Sequence, residues 1–255
     1  MQNSLLCTRL PGEGTEGYEI LRFIFDKTWP PGFNISLPVL KMGDFNLPND
    51  YRIPSFAEEK KLEAHGYQFI AGVDEVGCGA LAGPVVAAAV ILPSQVDTPW
   101  LNQVKDSKQL TSERRELLSY HIHETAISVG IGIASHEVID TQGLTKARRL
   151  AMKMAIDQLS PPPEYLLIDY MSLPNVPLPQ KGIKDGDSLC ISVACASIIA
   201  KVSRDHLMTE LDGIYPGYGL AQHKGYGTKE HLSCLRRLGL SSIHRQSFKP
   251  VKDLI

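Results

Sequence analysis

Three acidic positions interrupt stretches that are otherwise apolar. Asp74 and Glu75 follow Phe69-Ile70-Ala71-Gly72-Val73, and Asp169 follows Leu166-Leu167-Ile168. A fourth, Asp187, sits in a polar turn, Lys184-Asp185-Gly186-Asp187-Ser188. A carboxylate at the end of a buried strand is costly unless it is paired, solvated or bound to a cation. A single such residue is equally well a structural group that caps a helix or bridges to Arg. Several converging without Arg or Lys repel one another, and a hard divalent cation relieves this. The chemistry they suggest is metal-assisted hydrolysis. Asp74 and Glu75 present a conflict, because neighbouring strand residues point to opposite faces. Both reach one site only if the strand bends or ends there, and Gly77 and Gly79 permit that.

Two further stretches have the chemistry of phosphate and sugar contacts. Asp106-Ser107-Lys108 is a polar loop before a helix, and helix N-termini and Lys suit phosphate oxygens. His223-Lys224-Gly225-Tyr226-Gly227 combines cations, an aromatic ring and glycines, a setting in which Tyr226 packs against a sugar or base. Lys201, Arg204 and Asp205 lie at i, i+3, i+4 spacing on a helix and are expected to pair with one another in a structural role.

The elements that must position these residues begin near Pro54. SFAEEKKLEAHG has an acidic first turn, basic residues after it and a Gly stop, which predicts a short helix. YQFIAGVDEVG, PVVAAAVILP and AISVGIGIAS (126–135) read as three close-set strands. Between the second and third, Thr111 and Ser112 with Glu113 open a helix. Residues 144–159 place Leu144, Ala147, Ala151, Met154, Ala155 and Leu159 near one helical face. EYLLIDY (164–170) reads as a short buried strand, Ser192 to Leu211 as a long helix, and Lys229 to Leu238 as a last one. The order predicts an α/β or α+β chain whose mixed sheet is covered on both faces.

With 255 residues, 43% hydrophobic and 21% charged, the chain has enough apolar material for one sizeable core. The longest apolar run, Ala80 to Leu92, is broken by Gly83 and Pro84 and is too short to span a bilayer. No secretory signal is evident, and five Cys without a CxxC pair argue against a disulfide framework or structural zinc. A cytoplasmic protein without membrane association is the expectation. The formal charge of −2 excludes a uniformly basic nucleic-acid coat. From Lys181 to Ile255, however, 11 Lys and Arg stand against 7 Asp and Glu, which is consistent with a local face for phosphates. Residues 1–53 are punctuated by Pro and Gly, carry no motif, and hold one compact apolar segment, Gly17 to Lys27. They are read as an N-terminal extension of unknown role, with residues 54–255 as the catalytic domain.

GVDEVGCGALAGPVVAAAV (72–90) resembles the opening motif of ribonuclease HII, the bacterial type-2 ribonuclease H. The similarity continues in order through KDSKQL (105–110), LLID (166–169), KDGDS (184–188), ASIIAKVSRDHLM (196–208), HKGYGTKEH (223–231) and HRQSFKPV (244–251). The resemblance implies an RNase H-like α/β fold, a mixed five-stranded sheet flanked by helices, with a helical C-terminal segment. It implies a four-carboxylate catalytic and metal site on Asp74, Glu75, Asp169 and Asp187, binding Mn²⁺ or Mg²⁺. It implies substrate contacts by Gly77, Cys78, Gly79, Ser107, Lys108 and Tyr226. The implied substrates are RNA–DNA hybrids and duplex DNA containing ribonucleotides. Cleavage is expected on the 5′ side of a ribonucleotide, leaving 3′-hydroxyl and 5′-phosphate ends, by a monomeric enzyme.

One departure stands out. Where the family has Gly-Arg-Gly after the Asp-Glu pair, this chain has Gly77-Cys78-Gly79. Backbone contacts survive that change, but a guanidinium contact to phosphate does not. The Cys78 thiol is read as a small, partly buried filler without a redox role. Ribonuclease HIII also lacks that arginine and carries an extension, but Asp187 and Tyr226 argue against it. A non-catalytic hybrid-binding protein is disfavoured because all four carboxylates are present.

Overall fold

A computed structural model describes residues 53–254 apart from Asp97. The Gly17–Lys27 segment and the rest of the extension up to Arg52 lie outside the described residues.

Five strands form one sheet: β1 (Ile70–Val76), β2 (Val85–Ile91), β3 (Ser128–Ala134), β4 (Tyr165–Asp169) and β5 (Gln180–Ile183). Their order is β3-β2-β1-β4-β5. β1, β2 and β3 pair antiparallel, whereas β4 runs parallel to β1 and β5 parallel to β4. The expected mixed sheet is therefore present, and its parallel half carries three of the four expected carboxylates, Asp74 and Glu75 near the end of β1 and Asp169 at the end of β4.

Seven helices accompany the sheet among the described residues: α1 (Ala57–Glu63), α2 (Ser112–Thr125), α3 (His136–Gln142), α4 (Leu144–Ile156), α5 (Ile191–Ile214), α6 (Leu220–His223) and α7 (Lys229–Leu238). Thr111 caps α2 through its hydroxyl, which accepts from the Arg114 N–H, and Thr228 caps α7 in the same way from His231. The α4 stripe follows the predicted period, with Ala147, Ala151, Met154 and Ala155 buried, and Met152 and Ile156 widen it. No helix among the described residues is long and apolar enough to cross a membrane.

β2 is buried along its whole length because each face is covered. On one side Val85, Ala87, Ala89 and Ile91 pack with Val73, Ile139, Met152 and Ile156. On the other, Ala88 and Val90 pack with Leu118, Ile122, Ile198 and Ile199. The α5 side approaches unusually closely at β1. A Cβ at Gly72 would collide with the backbone of Ser192 and Val193, so strand and helix meet main chain to main chain.

Candidate active site

Asp74 and Asp169 stand side by side. The last paired residues of β1 and β4 are Val73 and Ile168, and each carboxylate follows by one position. By strand alternation both leave the core shared with α3 and α4 and turn toward α5. Asp187 joins them from a single 3-10 turn, Gly186–Ser188, placed just before α5. The Gly186 N–H donates to Asp169 Oδ1 at 2.8 Å, which fixes this turn against the end of β4.

These groups are poorly solvated. Asp74 is 5% exposed and Asp187 7%. Burial, then the charges of Glu75 and Asp169, hold the Asp74 carboxyl well above the ordinary carboxylate range, although the Ser197 hydroxyl opposes this. Burial likewise raises Asp169, with Glu75 adding to it. It also raises Asp187, where Asp106 and Asp169 add and Lys108 subtracts. Lys108 Nζ lies 3.6 Å from Asp187 Oδ2 and 3.9 Å from Asp106 Oδ1, and its ammonium remains exposed. Burial lowers the Lys108 pKa, but Asp106, Asp187 and Asp74 outweigh that and raise it.

Glu75 behaves differently. β1 continues regularly to Val76, so Glu75 turns to the α4 side of the sheet. There its Oε1 meets Arg148 Nη2 at 2.6 Å and accepts from the Cys78 thiol at 3.3 Å. The strand does not bend to bring both acids to one point, and the expectation of carboxylates free of cationic partners fails at Glu75. Arg148 was not singled out from sequence, because no local spacing links α4 to the end of β1.

Among the described residues no group of three or more His, Cys, Asp or Glu side chains is arranged as a ready cation shell. The donor set nevertheless fits a hard divalent cation. Three carboxylates are disfavoured as anions by burial and mutual repulsion, and Glu75 Oε2 is buried with no partner.

The expected substrate-contacting residues divide into three groups. Gly77, Cys78 and Gly79 form the turn after β1. Gly77 takes φ +92°, and a Cβ there would strike the Arg204 guanidinium. Ala80 bridges to Tyr226, which is half-buried, so the glycine turn and the tyrosine loop are adjacent. The Cys78 thiol is pushed up to about 12 by burial and then by Glu75, which leaves it unreactive. Ser107 is not on a polar surface as expected. It is 4% exposed and its hydroxyl shares a 3.0 Å hydrogen bond with Ser197, the same residue that faces Asp74.

Two arginines underlie this turn. Arg204 is fully buried and donates to the carbonyls of Pro84 at 3.0 Å, Lys224 at 2.9 Å and Ala82 at 3.3 Å. The expected local pairing is only partly present: Lys201 bonds Asp205 at 2.6 Å, and Arg204 serves the loops instead. Arg245, from the HRQSF stretch, donates to the carbonyls of Gly83 and Cys78, each at 3.0 Å. A histidine pair lies beside them. His231 Nδ1 faces the Tyr226 carbonyl at 3.0 Å, so it carries the proton and its Nε2 accepts from His244 Nε2 at 3.1 Å. His244 Nδ1 then accepts from the Ser241 N–H at 3.0 Å. The three non-glycine residues with positive φ among the described residues, Tyr170, Asp185 and Lys224, lie beside this site.

The five-stranded mixed sheet and its helices are the fold of the type-2 ribonucleases H. Ribonuclease HII of Archaeoglobus fulgidus, solved in complex with PCNA, has a TM-score of 0.60 to this chain at 27% identity, covering 71% of this chain and 95% of that one. Residues 71–251 match the family model described as ribonuclease HII, and the chain belongs to that family of metal-dependent endoribonucleases acting on RNA–DNA hybrids. A ribonuclease HII of Dehalococcoides mccartyi is 56% identical over 201 residues, 79% of this chain and 95% of the relative. One of Desulfitobacterium hafniense is 55% identical over 196 residues, 77% of this chain and 74% of the relative.

Proposed function

We propose that this chain hydrolyses the RNA strand of RNA–DNA hybrids and also cuts on the 5′ side of ribonucleotides embedded in duplex DNA, leaving 3′-hydroxyl and 5′-phosphate ends. The observation that carries this reading is the pair Asp74 and Asp169. They stand at adjoining ends of parallel strands, where open sheets bind ligands, with their ionised forms disfavoured by burial and by neighbouring acids. In this reading Asp74, Glu75, Asp169 and Asp187 would hold Mn²⁺ or Mg²⁺; Glu75, whose charge already reaches Asp74 and Asp169 from the other face, would have to leave Arg148 to do so. When bound, such ions supply an activated water and neutralise charge on the leaving oxygen. Lys108, exposed beside Asp187, orients a phosphate. Ser107 acts through Ser197 to hold Asp74 rather than touching substrate. The backbone of Gly77–Gly79, with Tyr226 adjacent, faces the 2′-hydroxyl, the group that distinguishes ribose from deoxyribose. Residues 54–255 form the working domain, and the extension is dispensable for hydrolysis.

The test is incision by the purified full chain, with Mn²⁺ or Mg²⁺, of labelled duplexes carrying one ribonucleotide, a long RNA–DNA hybrid, or DNA alone. Cuts on the 5′ side of the ribonucleotide and along the hybrid, but not in DNA, are expected. Equal cutting of all three, or none with either ion, overturns the reading.

A further inference from the structure

Tyr170 is the most exposed large apolar side chain among the described residues, at 69%. It directly follows Asp169, and its backbone has φ 62°. The Met171 N–H donates to the Asp169 carbonyl at 2.7 Å, which closes a three-residue γ-turn around Tyr170 in the strained, positive-φ hand. The Tyr170 N–H donates to the Ile183 carbonyl at 2.9 Å, so the end of β5 holds the turn in place. Strain of this kind persists only where the surroundings over-determine it, and it gathers at ligand sites.

Neither backbone nor packing accounts for a tyrosine here. Glycine satisfies the same turn without the steric cost of a Cβ at positive φ. The ring is outside both core clusters that cover β4, and no hydrogen bond or ring contact of its side chain is present among the described residues. A strained, solvent-facing aromatic one residue from the half-buried carboxylate of Asp169 gains free energy by covering something that binds.

We infer that Tyr170 is a substrate-binding residue whose ring packs on the apolar face of a pentose in the nucleic-acid backbone, next to the bond cut at Asp169. The inference rests on the nuclease reading above. A sugar is the ligand because the contact must serve a duplex, whose bases are already stacked on one another and whose pentoses are open in the minor groove. Such a contact is independent of base sequence and of charge, so it differs from the phosphate contact of Lys108.

Steady-state kinetics of the full chain on a one-ribonucleotide duplex, at several salt concentrations, tests this with Tyr170→Gly and Tyr170→Phe. Covering part of an aromatic ring corresponds to roughly a 10-fold rise in KM for Tyr170→Gly, with kcat within about threefold. The slope of log KM against log salt stays as in the wild type, because no phosphate contact is lost. Tyr170→Phe keeps the wild-type KM. Thermal denaturation separates a binding role from a structural one: Tyr170→Gly, relieved of strain, unfolds at the same temperature or higher. An unchanged KM in Tyr170→Gly, a fall confined to kcat, a shallower salt slope, or a lower unfolding temperature overturns the inference. If the wild-type chain itself leaves the duplex intact, the failure lies in the nuclease reading and the inference falls with it.

Discussion

The segment from Gly77 to Pro84 separates two groups of like charge that the fold treats in opposite ways. To one side lie Asp74, Asp169 and Asp187, with the exposed Lys108 set against Asp187. Beneath it lie Arg204 and Arg245, neither of which meets a carboxylate among the described residues. Carbonyl dipoles from Cys78, Ala82, Gly83, Pro84 and Lys224 satisfy Arg204 and hold Arg245 through Nε and Nη1, leaving its buried Nη2 unpaired, and they tie three loops together. Burial and then Arg204 lower the Arg245 pKa to about 9, which still leaves it charged at neutral pH. The carboxylates receive few donors and keep lone pairs open. Like-charge clusters are therefore distinguished by what satisfies them: neutral dipoles make a brace, whereas unfilled lone pairs make a site for a cation.

The comparison breaks most sharply at Asp74. Asp74→Asn removes a buried charge that its neighbours disfavour, so the metal-free protein is expected to unfold at the same temperature or a few degrees higher. Hydrolysis is expected to fall by at least ~10³-fold, the scale seen when a group that stabilises transition-state charge is removed. Calorimetry in chelator together with a single-turnover assay reads both effects, and substantial activity at saturating Mn²⁺ would remove Asp74 from the site. Arg204→Met should act in the opposite sense. Three carbonyls lose their donor, at a cost of about 3 kcal/mol in stability or more. Urea denaturation measures this, and a loss below ~1 kcal/mol would show that water replaces the guanidinium without penalty.

The histidine pair offers a graded break of the same brace. His231 and His244 are both held near a pKa of about 4, each chiefly by burial, whereas an unfolded imidazole titrates near 6.5. Their contribution is complete above the unfolded value and is lost as pH falls from about 6.5 toward 4, since only the unfolded chain then takes up protons freely. By pH 5 the loss is about 2 kcal/mol per ring. Protonation also makes both facing Nε2 atoms donors, which separates the pair. Unfolding temperatures between pH 7 and pH 5, wild type beside His244→Asn, check the slope; equal slopes would exclude the pair as its source.

The smallest effect is expected at Cys78. Cys78→Arg adds a permanent guanidinium to the glycine turn without touching Asp74, Asp169 or Asp187. KM for a one-ribonucleotide duplex should fall by ~10-fold with kcat changed less. A gain confined to kcat would mean that this turn does not bind substrate.

Sequence patterns exposed the strands that are buried and concealed the one that is not. β1 to β4 are apolar, but β5 is Gln180-Lys181-Gly182-Ile183, an edge strand that exists because it pairs with β4 and carries no hydrophobic alternation. The pairing of Lys201 with Asp205 was legible from their spacing. The role of Arg204 was open to the same reasoning: it shares a helical stripe with Ala200, Leu207 and Met208, all buried, which places it toward the interior. Strand alternation already set Asp74 against Glu75, but Gly77 and Gly79 were expected to permit a bend, whereas β1 runs on regularly to Val76. The Arg148 partner and the burial of Ser107 were not legible, because both come from contacts between elements distant in sequence.

The contact of β1 with α5 at Gly72 has a consequence for how this site changes over evolutionary time. Main-chain atoms have the same dimensions in every protein, so a strand resting directly on a helix backbone keeps its spacing whatever side chains surround it. Asp74, two residues along the same face, inherits that fixed depth. The apolar residues on either side of the sheet are thus free to drift in size, altering how much heat the fold withstands while leaving the carboxylate where it is. Gly72 itself has no such freedom, since even a methyl group there would push the catalytic strand off its rest.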